Sequence, residues 1–269
     1  MLSKIKSQLA NLIHGDDSDR DFTSARSSQE VYQTIHEAGK AKAELSEFIG
    51  NPTGETKFVS LGENCSSAWY LKQVGLKDAS YPFDWVFSSP DIILDCLEDG
   101  FSKYLDRDLI VPKRGKGSAG HSHYHDDLFN HRNPLASEAN YDYLKRCCER
   151  LSTLVASQQP SCYLITLINE PDKRVNWAKG FDKQFVMPKD QGLESVAKLK
   201  DYLKAKNQNT KFVVVDHYTE RENSVEYEKV DDDVFFIRFD AQGKSTGVLY
   251  ENAFDDFCFK LIMTGLYGK

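Results

Sequence analysis

A three-layer α/β sandwich around a mainly parallel sheet is the fold expected for this chain, on three observations. First, four short runs, Lys57–Leu61, Cys162–Ile168 (CYLITLI), Lys211–Val215 (KFVVV) and Val234–Phe239 (VFFIRF), are continuously apolar rather than alternating. Such runs mark strands covered on both faces. Second, helical periodicities separate these runs, and strands alternating with helices imply parallel crossovers. Third, Cys65, Asn169-Glu170 and Asp216-His217 each follow a predicted strand directly. All three would then gather at the carboxyl edge of the sheet, where open α/β sheets bind ligands.

Taken in order, Met1–Ile13 places Leu2, Ile5, Leu9 and Ile13 on one helical face, and Gly15–Ser28 is polar. Gln29–Ile49 reads as a longer helix ended by Gly50-Asn51-Pro52. Residues 1–54 are therefore taken as a helical N-terminal extension, and residues 55–269 as the α/β domain. Within the domain, Lys57–Leu61 is the first strand, Gly62-Glu63-Asn64 a turn, and Ser66–Val74 a helix. Ser89-Pro90 starts the next helix, a cap residue followed by proline in the first turn. Its inward stripe is Ile93, Leu97, Phe101 and Tyr104. Ser137 starts another, striped by Tyr141, Leu144, Cys148, Leu151 and Val155, while Leu193–Ala205 and Ala253–Leu266 complete the helices.

The 269 residues suffice for one large domain with an appendage, and 40% apolar with 28% charged residues is ordinary globular usage. A formal charge of −7 and no basic stripe interleaved with aromatics argue against nucleic-acid binding. Lys113-Arg114-Gly115-Lys116 reads as a solvated loop. No apolar run has signal-peptide or membrane-spanning length. Six cysteines without framework spacing fit buried thiols in a reducing compartment, so a cytoplasmic location is expected.

Cys65 carries the sharpest chemistry. At a strand-to-helix corner it faces unpaired N–H groups, whose dipoles favour a thiolate and can cradle an anion. It is either a nucleophile or a small residue filling a tight turn. A nucleophilic thiol needs a base and a group to orient that base. His217, beside Asp216, and His131, in LFNHRNP, are the candidate bases. Glu63 and Asn64 could supply an orienting carboxylate and an oxyanion-binding amide. Gly62 and Ser66 complete the candidate substrate and oxyanion contacts at the helix start. Asp84, in the rigid segment Ser80-Tyr81-Pro82-Phe83-Asp84-Trp85, either orients a base or caps backbone amides. His121, His123 and His125 alternate like imidazole ligands, but match no closed metal-site spacing. They read as a solvated, glycine-flanked loop. No metal or cofactor is expected.

Ser60-Leu61-Gly62 with Cys65, then Ser80, Pro82-Phe83-Asp84-Trp85 and Phe129-Asn130-His131, resemble a bacterial domain family labelled papain-like cysteine peptidase. The match is close from Lys57 to His131 and general elsewhere. The resemblance implies Cys65 as nucleophile, His131 as its base and Asp84 as a third member. It also implies a papain-like α+β fold, with cysteine and histidine on separate lobes. A nucleophile directly after the first strand is similar instead to SGNH-type acyl hydrolases and acyltransferases, where a serine takes the place of Cys65. The strand pattern favours that SGNH/flavodoxin-like layout. Two functions follow as expectations. One is acyl transfer by the Cys65 thiolate on a peptide, ester or thioester carbonyl. The other is an acyltransferase, esterase or ligand-binding domain in surface-polysaccharide assembly, with Cys65 only lining the pocket. Small-molecule, peptide or glycan-linked acyl compounds are the expected substrates.

Overall fold

A computed structural model describes residues 27–113, 117–170, 178–186 and 191–269. The expected helix over Met1–Ile13, the polar stretch after it up to residue 26, and most of the basic loop at 113–116 lie outside the described residues.

Among the described residues, five strands form the main sheet: β1 (Lys57–Ser60), β5 (Ser161–Ile168), β6 (Thr210–Tyr218), β7 (Ser224–Lys229) and β8 (Val234–Asp240). Their spatial order is β1-β5-β6-β8-β7. The pairs β1–β5, β5–β6 and β6–β8 are parallel, and only β7 runs antiparallel, at the edge. This is a mixed α/β fold on a mostly parallel sheet, as the apolar runs predict. The parallel strands stand in sequence order, so β1 is an edge strand among the described residues. A flavodoxin-like order places the first strand between two others, and its switch point opens a crevice there.

Among the described residues, six helices cover the sheet: α1 (Ser28–Ile49), α2 (Ser66–Gln73), α3 (Pro90–Glu98), α4 (Glu138–Ala156), α5 (Ala197–Lys206) and α6 (Ala253–Met263). Side chains alternate between the faces of a strand, and the two faces build separate cores. Tyr163, Ile165, Leu167, Phe212 and Val214 pack with α3, α4 and α5. Cys162, Leu164, Val213, Val215 and Phe235 pack with α1, α2 and α6. Ala38, Ala41, Leu45, Phe48 and Ile49 of α1 are all buried in that second core. The expected caps form: Ser89 Oγ accepts from Ile92 N and Ser137 Oγ from Asn140 N.

Two expectations are corrected, and one strand was not expected. Asp216 and His217 lie within β6, which runs to Tyr218, because parallel pairing with β5 and β8 continues past the apolar run. The edge strand β7 (SVEYEK) is too polar to announce itself; its main-chain pairing with β8 defines it. The histidine-rich segment is not a solvated loop. It forms a small antiparallel sheet, β2 (Ile110–Pro112), β3 (Ala119–His121) and β4 (His125–Phe129). His121 and His125 are buried there. The His121 ring packs 4.7 Å from that of Tyr124, and its Nε2 lies 3.0 Å from Lys103 O. Burial holds the His121 imidazole down at about 4. His123 instead meets Gln184 Nε2 at 3.2 Å.

Candidate thiol site

The turn after β1 stays laced to β5. Leu61 N donates to Leu164 O at 2.9 Å and Glu63 N to Thr166 O at 3.1 Å. A methyl group at Gly62 would collide with Thr166 Oγ1 and Ser67 Oγ, so this close approach requires glycine. Ser88 closes the turn from the other side, its Oγ donating to Gly62 O and its N to Glu63 O.

Cys65 caps α2 with its backbone, and Trp69 N donates to Cys65 O. The side chain is 2% exposed. Burial pushes the thiol up to about 12, opposed by a hydrogen bond with the Asn130 side chain. The expectation that the helix start lowers this thiol is thereby reversed. Desolvation of the charged form outweighs the dipoles of a two-turn helix. Asn130 follows β4, and its Oδ1 is buried without a hydrogen-bond partner among the described residues. Sequence reasoning passed over Asn130, although it stands inside the Phe129-Asn130-His131 element.

His131 is exposed. Its ring stands edge-on to Trp85 at 6.3 Å and borders a cavity of about 360 Å³. His217 is buried: its Nδ1 is 3.0 Å from Tyr250 Oη and its Nε2 3.9 Å from Glu170 Oε1. The neighbours of the two histidines belong to different cores. Phe129, which precedes the Asn130-His131 pair, packs with α3 and α4, whereas Tyr250 packs with α2 and α6. The Asn130 side chain and the Asp84 charge, rather than an imidazole, act on the thiol.

Asp84 is buried and accepts hydrogen bonds from Ser60 Oγ, Lys77 Nζ and, at 2.8 Å, Tyr81 N. Those three bonds bind the Tyr81–Trp85 segment to the end of β1, while the Asp84 charge still reaches Cys65 and raises it slightly. Glu63 is equally engaged: Oε2 accepts from Ile168 N at 2.7 Å and Oε1 from Gln191 Nε2 at 2.6 Å. Asn64 Oδ1 accepts from Ser66 N (3.0 Å) and Ser66 Oγ (2.6 Å). That leaves Asn64 Nδ2 buried without a partner among the described residues. Ser66 Oγ also lies 3.2 Å from Thr166 Oγ1. Farther along the same edge, Asn169 Nδ2 donates to Asp216, whose carboxyl burial raises to about 6. Among the described residues, no group of three or more His, Cys, Asp or Glu side chains is arranged to hold a metal ion.

A buried thiol at the strand-to-helix corner of an α/β sheet marks a candidate cysteine-dependent protein. The family described as "Putative papain-like cysteine peptidase (DUF1796)" matches residues 56–261, and the chain belongs to it. Over 54 residues it is 41% identical to "Uncharacterized protein R408" of Acanthamoeba polyphaga mimivirus. That stretch is 19% of this chain, and it spans only 24% of the viral protein. No solved structure matches the chain.

Proposed function

We propose that this protein is a cysteine-dependent acyl-transfer enzyme, with a peptide, ester or thioester as substrate. The observation that carries the proposal is the place of Cys65, at the corner between β1 and α2 beside the Asn64 Nδ2 that has no partner among the described residues. His131 follows Asn130 directly, is exposed and borders a cavity. It is therefore the better-placed base, and His217, held between Tyr250 and Glu170 with the opposite core, is not needed. In the reaction, His131 takes the thiol proton as Sγ attacks the carbonyl carbon. The tetrahedral intermediate collapses as the leaving group takes that proton. Water activated by the same imidazole then cleaves the thioester. The orphan Asn64 Nδ2 is the donor for the developing oxyanion. Asp84 and Glu63 act as positioning residues, holding the Tyr81–Trp85 segment and the turn.

The reading shares with SGNH-type acyl hydrolases a nucleophile placed just after the first strand. Six unpaired cysteines accord with a reducing, cytoplasmic setting. No helix among the described residues is long and apolar enough to cross a membrane.

The test is acylation by an activated ester followed by intact-mass spectrometry. A single acyl adduct should map to Cys65, vanish in Cys65→Ala, slow by about a hundredfold or more in His131→Ala, and persist in His217→Ala. An adduct indifferent to His131 overturns the assigned base; no adduct at Cys65 overturns the mechanism. A second reading has the thiol's burial in its favour. There Cys65 only lines a ligand site of an acyltransferase, esterase or binding domain acting in surface-polysaccharide assembly. Thermal stabilisation by acyl-coenzymes or nucleotide sugars, retained in Cys65→Ala, would select it.

A further inference from the structure

The cavity bordered by His131 has a composition of its own. Its walls include Tyr81, Trp85, Phe129 and Leu144, and its polar groups include His131 and Arg132. At about 360 Å³ it holds more than twice the roughly 150 Å³ that accommodates a benzene ring. Aromatic and aliphatic walls with a few convergent polar groups are the usual make-up of a small-ligand site. The Arg132 guanidinium lies 4.2 Å from the centre of the Tyr143 ring. It has no carboxylate partner among the described residues. A permanently charged, fork-shaped donor held against an aromatic face beside an apolar cavity matches an apolar group that carries a carboxylate.

We propose that this cavity receives the last residue of a peptide substrate, its apolar or aromatic side chain between Trp85 and Leu144 and its free carboxylate on Arg132. The inference rests on the cysteine-dependent reading and narrows it to cleavage of a C-terminal residue. His131 lines the cavity that would hold this residue, next to the amine that departs. The Sγ–C bond of the thioester forms and the C–N bond to the final residue breaks. The thiol proton passes through His131 to the leaving amine, and water then releases the shortened peptide from sulfur. No redox partner or metal enters the balance.

The full-length chain carrying Cys65→Ala, which removes turnover, is titrated with N-acetyl-L-phenylalanine and with its carboxamide while tryptophan fluorescence is followed. Saturable binding of the acid is expected, with the signal lost in Trp85→Phe. The carboxamide should bind about tenfold more weakly, the scale of one charge-assisted pair at a solvent-accessible rim. Arg132→Gln, a surface change whose melting temperature checks the fold, should erase that preference. With the native thiol, an N-acylated dipeptide ending in phenylalanine should be cleaved, with its C-terminal amide showing a higher KM. Equal binding of acid and amide, or a signal that survives Trp85→Phe, overturns the inference even if Cys65 acylates with an activated ester. An Arg132-dependent preference with no acyl group ever reaching Cys65 has a separate meaning. It removes the cysteine mechanism, and the substrate assignment falls with it.

Discussion

At the scale of single residues, the thiol and an imidazole show the same force acting on opposite charges. Burial disfavours whichever form is ionised. Cys65 is pushed up to about 12 and His121 down to about 4, so both are neutral at pH 7. Alkylation of native Cys65 by iodoacetamide should therefore be slow at pH 7 and climb only above about pH 10, toward its raised value. Residue-resolved mass spectrometry would read this, and rapid labelling at pH 6 would contradict it. His121 makes a stability prediction whose sign is fixed by linkage. Its native value lies below the ordinary 6.5, so the unfolded chain binds the extra proton first. Stability is then lost as pH falls from 6.5 toward 4, by on the order of 3 kcal/mol. Urea unfolding at pH 7 and pH 4.5 should show a smaller difference in His121→Asn than in the wild type.

Among the elements, the segment after α2 owes its place to Asp84. Its carboxylate gathers Ser60 Oγ, Tyr81 N and the Lys77 ammonium, which is itself largely buried. Removing one member of a buried pair leaves an uncompensated charge, at a cost of about 3–5 kcal/mol. Asp84→Ala should therefore lower the melting temperature by many degrees and loosen the wall bearing Trp85. A variant with unchanged stability would show that the contacts contribute little. Such elements were unevenly legible. Helices with caps and stripes, at Ser89 and Ser137, declared themselves through local chemistry, although Phe101 and Tyr104, expected on the stripe of the Ser89 helix, lie in the turns beyond Glu98, where Phe101 takes a positive φ. The strands β3 and β4 did not, because AGH and HDDLF carry neither an apolar run nor an alternation, and only pairing across the hairpin makes them strands.

On the scale of the whole molecule, α1 is built into one layer of the sandwich. Its Leu45 is fully buried, and the helix backbone comes so close to the C-terminus that a methyl at Gly265 would strike Lys42 O. Leu45→Ala should cost about 2–5 kcal/mol. Helix and sheet should unfold in a single transition, seen equally by circular dichroism and tryptophan fluorescence. Separate transitions would make residues 28–49 an independent appendage.

The amino-acid order alone determined the α/β class, the four parallel strands and the corner where Cys65 sits, because burial on both strand faces and helix capping are written in local composition. Strand order, the polar edge strand and the small histidine-bearing sheet were decided only by tertiary pairing. So were the charge state of Cys65 and its partner Asn130. Desolvation and contact depend on what the rest of the chain places around a group, and no local pattern encodes that.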